Sequence, residues 1–216
     1  MRRRLFYYEW FVLFVLLYTM CGCFRPQVYD TTQHRPVSLQ VDDLTLHGLA
    51  ILTPSTVTGQ EAEKQAIALQ FAEVLKKERP AIRFITLPET INALGRAGLE
   101  EDYMEMISAY RDTGIFKKDS LHKVGEAVQA RYLVQLKLMN FSQGSQNRFS
   151  VLGLRLIETQ YAHIRIFCQI WDSLRGEITW EGVKEMHYAV DTFKEKSVAQ
   201  KTIMGKALRD IILHFP

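Results

Sequence analysis

Hydrophobic positions along this chain switch between a period of two and a period near 3.6, and the switches divide it into strands and helices. Leu44, Leu46 and the run Leu49-Ala50-Ile51-Leu52 predict a first strand, stopped by Pro54. Thr58-Gly59-Gln60-Glu61 has the spacing of a capping box, in which a hydroxyl and a carboxylate serve the free amides of a helix start. Ile67, Phe71, Val74 and Leu75 then form an apolar stripe on a helix reaching Lys77, with Pro80 just past its end. Ile82 to Thr86 predicts a second short strand. Pro88 suits the first turn of the next helix, which runs through Leu94 and stops at Gly95 and Gly98. Tyr103, Met106, Ile107 and Tyr110 make another stripe, and Glu100, Glu101 and Asp102 sit where they favour the positive end of that helix dipole. Ser120 predicts the cap of a further helix carrying Leu121, Val124 and Val128.

Beyond Ala130 the period becomes that of a sheet. Tyr132, Val134, Leu136 and Leu138 alternate with Gln135 and Lys137, and "NFSQGSQNR" from Asn140 to Arg148 reads as a polar loop. Ile164, Ile166, Cys168 and Ile170 line one face of another strand, with Arg165 and Gln169 on the other. Asp172 to Glu177 is a turn leading to a strand through Ile178, Trp180 and Val183. A closing helix bears Ala199, Ile203, Ala207, Ile211 and Phe215. These elements predict one α/β domain over residues 42–216, three-layer-like, with helices packed on a mixed sheet. Its first half has parallel crossovers and its second half antiparallel hairpins.

The first 41 residues follow neither period. Arg2, Arg3 and Arg4 precede an apolar run from Trp10 to Met20, the order of a secretory signal. Glu9 interrupts that run on one side, and Arg25 and Pro26 close it on the other. It falls short of the roughly 20 apolar residues a spanning helix needs. Met20-Cys21-Gly22-Cys23 resembles a bacterial lipobox, which places cleavage between Gly22 and Cys23 and the lipid on the Cys23 sulfur. Residues 1–22 are then a lipoprotein signal peptide and 23–41 a tether, extended or disordered, containing Pro26 and Pro36. An alternative for part of the tether is an edge strand packed along the domain. The competing readings of the cysteines are an uncleaved amino-terminal anchor and a metal or redox Cys-x-Cys site, but no cysteine or histidine cluster nearby would complete the latter.

Charge and cysteine usage change meaning after such a cut. The whole chain has 27 Lys+Arg against 24 Asp+Glu, and removing residues 1–22 takes away three Arg and one Glu. A nearly neutral mature chain gives no electrostatic ground for nucleic-acid binding. Only Cys168 then remains as a free thiol, set among Ile166, Phe167 and Ile170 as a small core residue.

Two stretches carry a family resemblance. "VGEAVQARYLVQLKL", Val124 to Leu138, and "IWDSLRGEITWEG", Ile170 to Gly182, resemble the helix-to-strand step and the hairpin of a group of small α/β domains. That group includes the amino-terminal part of TolB, the curli-secretion lipoprotein and lipoprotein activators of penicillin-binding proteins. Gln129 stands where the family commonly has Gly. The resemblance implies a cell-envelope location and work done by binding other proteins, and it supplies no catalytic residues.

Chemistry is sparse. The chain has no Walker A loop, G-x-G-x-x-G, H-E-x-x-H or G-x-S-x-G motif. His34, His47, His122, His163, His187 and His214 are dispersed, and "GRAG" at Gly95 to Gly98 reads as a helix stop. Trp171 and Trp180 flank the turn, where they are expected to pair across the hairpin or to form a partner-binding aromatic patch. The expectation is a non-catalytic envelope lipoprotein without metal or cofactor, serving as a protein-interaction or assembly-support module. Its partners would be the membrane, through lipidated Cys23, and an unspecified envelope protein, with a homo-oligomer allowed. Phe24, in place of the Asp that retains lipoproteins in the inner membrane of enteric bacteria, points to the outer membrane facing the periplasm, the inner membrane being the alternative. Two other readings compete. A secretion-channel subunit would use the strand-like stretch Phe149 to Phe167. A periplasmic enzyme or small-ligand binder would use Thr53, Ser55 and Thr56 before a helix start.

Overall fold

A computed structural model describes residues 26–151, 154–192 and 200–216. Residues 1–25, Gly22 and Cys23 among them, lie outside the described residues, so the signal and lipidation expectations rest on the sequence. The described elements are β1 (Gln27–Pro36), α1 (Asp43–His47), β2 (Leu49–Ile51), β3 (Ser55–Thr56), α2 (Glu61–Glu78), β4 (Phe84–Ile85) and α3 (Leu87–Ala97). They continue as α4 (Glu100–Thr113), α5 (Lys118–Val128), β5 (Tyr132–Val151), β6 (Leu154–Asp172), β7 (Glu177–Thr192) and α6 (Gln200–Leu213).

The seven strands form one mixed sheet in the order β1-β7-β6-β5-β2-β4, with β3 also pairing β5. β2 runs parallel to β4 and to β5, with Leu49 opposite both Phe84 and Tyr132. Helices α2 to α5 supply the crossovers that parallel pairing demands. The β6–β7 turn is a tight hairpin in which Gly176 N–H donates to Asp172 O at 2.8 Å. β1 is antiparallel to β7, since Thr32 meets Lys184 while Val37 N–H reaches Thr179 O.

Both faces of the β2 region are covered. On one side Ala50, Leu52, Leu133 and Trp171 pack with Leu94 of α3, with Met106 and Tyr110 of α4, and with Leu121 and Val124 of α5. On the other, Ile67, Phe71 and Leu75 of α2 and Ile203, Ala207 and Ile211 of α6 are fully or almost fully buried. Phe215 joins those two helices, its ring 6.5 Å from Phe71 and 4.9 Å, edge-on, from Trp180. Each such buried Leu, Ile, Met or Phe side chain contributes about 1.5–3 kcal/mol of transfer free energy. The stripe periodicity of the sequence therefore reports real core faces, and the α/β class with a mixed, helix-covered sheet holds.

Local boundaries move for identifiable reasons. Leu44 and Leu46 belong not to a strand but to the one-turn helix α1, where Leu44 is buried and Leu46 is 73% exposed. Thr58 does not cap α2, which begins at Glu61. Its hydroxyl accepts from Gln60 N–H and donates to Glu63. The capping box lies one helix later, where Glu89 accepts from both the amide (2.8 Å) and the hydroxyl (2.7 Å) of Thr86 ahead of α3. Those bonds hold the Glu89 carboxyl below its usual range. α3 runs past Gly95 and ends at Gly98, whose φ of 66° is the left-handed cap that glycine permits. Ser120 lies inside α5, which starts at Lys118. Asn140 to Arg148 is no loop, because β5 continues through it to Val151. Within the segment read as a tether, Gln27–Pro36 forms the edge strand given as the alternative.

The chain forms two compact units. One comprises residues 30–142, 163–186 and 199–216 and contains the helices and the core above. Of the described residues, the other comprises 26–29, 143–151, 154–162 and 187–192, stretches of β5, β6 and β7 with the first residues of β1. In it Thr159 donates to Asp191 Oδ1 at 2.6 Å, and Tyr29 stands 6.1 Å from His187, ring to ring.

Candidate binding groove

Toward Met139 and Arg165 the larger unit leaves one face of its sheet open. α4 ends at Gly114, in the left-handed conformation with φ 73°, and the chain turns away to α5. On β5 and β6, Leu136, Leu138, Ile164, Ile166 and Cys168 are buried on the α6 side, whereas the alternate residues Lys137, Met139 and Arg165 are exposed. A hollow of about 420 Å³ results, floored by Phe167, Gln169 and Val183 and walled by Tyr110, Arg111 and Gly114. Lys137, Met139 and Arg165 complete its rim. A second hollow of about 520 Å³ shares Phe167 and Val183 with the first and extends the groove past Glu181 to Gln33 and Arg35 of β1.

The floor is rigid because of what lies under it. Tyr110 stacks on Phe116 at 4.3 Å, and Phe116 meets Trp171 edge-on at 5.2 Å. So held, the Tyr110 hydroxyl donates to Gln169 Oε1 at 2.9 Å. Burial pushes the Tyr110 phenol up to about 12, with a smaller contribution from Cys168, so it remains a donor at all physiological pH. Gln169 is 6% exposed and lines the groove, and its amide nitrogen has no hydrogen-bond partner among the described residues.

Three cations rim the first hollow. Arg111 stands 3.5 Å from Asp112, Arg165 stands 3.8 Å from Glu185, and Lys137 has no ion pair among the described residues. No acidic residue lines that hollow. Such a surface can hold an anionic group against an apolar floor. Cys168 does not line it: the thiol is fully buried, and burial pushes it up.

The tryptophans do not form the expected pair or an exposed patch. Trp171 is 4% exposed and packs with Phe116, whereas Trp180 is 1% exposed and packs with Phe215. Trp171 belongs to the cluster of Leu94, Tyr110 and Leu121, whereas Trp180 lies against Phe215 beyond α6. The hydroxyl crevice is also occupied from within. Tyr103 accepts from Thr53 N–H at 2.8 Å and donates to Thr53 Oγ1 at 3.0 Å, while Gln135 Nε2 reaches Thr53 O and Ser55 Oγ. The "D-x-x-x-G" turn of the hairpin is structural: Asp172 accepts from Arg131 Nη2 at 2.7 Å and Nε at 3.1 Å, and from Leu174 N–H at 2.9 Å. Among the histidines, His34 lies on His214, His122 beside Glu126, and His163 between Asn140 and Glu185.

The groove was absent from the sequence reading. Arg165 and Gln169 register there only as the outward face of a strand, and Tyr110 as a core position. Their convergence depends on strand register and on where α4 stops, and only the glycine at position 114 signals the latter.

No protein-family model matches the chain, and no curated protein sequence matches it. Solved structures do. The PelC dodecamer from Paraburkholderia phytofirmans is similar over 85% of this chain and 96% of that one, with 10% identity and a TM-score of 0.44. Lipoprotein GNA1162 from Neisseria meningitidis is similar over 76% of this chain and 94% of that one, with 9% identity and a TM-score of 0.39. The LpoB C-terminal domain from Salmonella enterica is similar over 68% of this chain and 83% of that one, with 12% identity and a TM-score of 0.34. These likenesses concern the run of the backbone alone.

Proposed function

We propose that this chain is a lipid-anchored, non-catalytic lipoprotein of a bacterial cell envelope that binds another envelope protein through the open face of its sheet. The observation that carries the binding role is the groove itself. A stretch of β5–β6–β7 is buried on one face and uncovered on the other, apolar at its centre and cationic at its rim. Support for a non-catalytic role comes from the buried thiol of Cys168 and from the internal partners of Thr53 and Ser55. Among the described residues no helix is long and apolar enough to cross a membrane. The attachment point in this reading is Cys23 of the Met20-Cys21-Gly22-Cys23 stretch. Each acyl methylene buried in a bilayer contributes about 0.8 kcal/mol, and two or more chains on Cys23 hold the domain there stably. Phe24 after that cysteine favours the periplasmic leaflet of the outer membrane.

Photo-crosslinking in cells tests the binding role. A benzoylphenylalanine placed at Met139 or Val183 gives a discrete adduct with another envelope protein, and one at Leu69, exposed on α2, gives none. Adducts from Leu69 with none from the groove would refute it.

A further inference from the structure

The groove's chemistry narrows the kind of ligand it takes. Arg111, Lys137 and Arg165 stand around the first hollow with no acid among its lining residues. At the floor, Gln169 is nine-tenths buried, and Tyr110 holds its carbonyl oxygen at 2.9 Å, leaving the amide N–H group without a protein partner among the described residues. The amide lines the hollow, so it can donate to an acceptor that enters there. Beside it Phe167 and Val183 are half-buried and apolar. The carbonyl end of α4 also points to this region, but Gly114 N–H caps the Tyr110 carbonyl and Arg111 sits in the last turn, so its negative end is countered.

Resting on the binding role proposed above, we infer that the groove receives an acidic peptide segment of the partner, a carboxylate bonding the Gln169 amide between Lys137 and Arg165 while a neighbouring aliphatic side chain lies on Phe167 and Val183. An extended peptide of alternating acidic and aliphatic residues meets both features at once. An acidic polysaccharide would leave the apolar side chains of Phe167 and Val183 unused.

The test uses the full chain in detergent micelles and two fluorescein-labelled octapeptides, one alternating Asp and Leu and the other Asn and Leu, read by fluorescence anisotropy. The Asp peptide is expected to bind about tenfold tighter than the Asn peptide. The Lys137→Gln/Arg165→Gln double variant, altered only at exposed positions, loses about tenfold in affinity with an unchanged melting temperature. Tyr110→Phe, which frees the Gln169 amide to turn, weakens binding several-fold. Lys77→Gln/Lys201→Gln, in the separate hollow between α2 and α6, leaves affinity unchanged. Equal binding of both peptides, retained affinity in the Lys137/Arg165 variant, or equal loss in the Lys77/Lys201 variant would overturn the inference. So would polygalacturonate binding where the Asp peptide does not. Crosslinks from Met139 or Val183 surviving such a result would leave the binding role standing and remove only the acidic peptide.

Discussion

Lys184 and Asp210 join the sheet to its covering helix α6 through a contact of 2.7 Å, with the lysine side chain only 2% exposed. Asp30 at 3.1 Å and Thr32 at 2.9 Å, both on β1, complete three acceptors for the three ammonium protons. This cluster ties the edge strand β1 to the folded core. The two ends of the pair are not equivalent, because the Asp30 and Asp210 side chains are 43% and 31% exposed and reach water without the lysine. Lys184→Met is expected to cost about 1 kcal/mol, whereas Asp30→Asn/Asp210→Asn strands a buried ammonium and costs about 3 kcal/mol. Urea unfolding of the three proteins measures the difference, and the reverse order would contradict the role of burial.

Asp172 makes stability depend on acid. Burial alone would raise its carboxyl, but the Arg131 hydrogen bonds, the Leu174 and Arg175 amides and the Arg131 charge together hold it below the ordinary value. A carboxyl depressed on folding contributes stability that is fully present above the unfolded value of about 3.9 and is lost as pH falls through the folded one. Asp172→Asn should cost about 2–3 kcal/mol at neutral pH, and the gap to the parent chain should shrink below about pH 4. Urea midpoints at pH 7 and pH 3 check both statements. A gap that widens in acid would reverse the sign.

Two positions near the α5 terminus respond to glycine in opposite ways. Gln129 has φ 55°, a left-handed conformation that costs a side-chain-bearing residue about 1–2 kcal/mol, so Gln129→Gly should stabilise the chain. Gly125 lies inside α5, where alanine ordinarily helps. A methyl there would come within 2.6 Å of Ser173 Cβ in the adjacent turn, so Gly125→Ala should destabilise by about 1–3 kcal/mol. Thermal melts of the two variants should shift in opposite directions.

Cys168 is fully buried, and burial pushes its thiol up. Iodoacetamide should leave it unmodified in the folded chain at pH 8 and alkylate it completely in urea, as mass spectrometry of the peptide around Cys168 would show. Rapid labelling of the folded protein would mean that the sheet opens there.

What the sequence conveyed and what it hid follow from one physical condition: periodicity is visible only where a face is buried. Ile67, Phe71 and Leu75, or Ile164, Ile166 and Cys168, announce their elements because each turns toward a core. From Asn140 to Gln146, β5 has no buried residue and therefore reads as loop, although its backbone stays in the sheet. Leu44 and Leu46 imitate a strand by being two apart, though only one of them is buried. The motif at Gln129 was more informative than it looked: a family glycine there corresponds to a positive φ that this chain sustains with glutamine. The groove stayed hidden because Tyr110 and Gln169 are 59 residues apart and meet only through the register of β6 beneath α4.

The central claim is that this binding fold is fastened to a bacterial bilayer through one cysteine. Its most direct test is radiolabelled palmitate incorporation by the full chain and by Cys23→Ser, with membrane and soluble fractions counted separately. The account predicts label and membrane recovery for the parent chain, and for the serine variant no label and loss from the lipoprotein pool. Label and membrane partitioning that both persist in Cys23→Ser would contradict it.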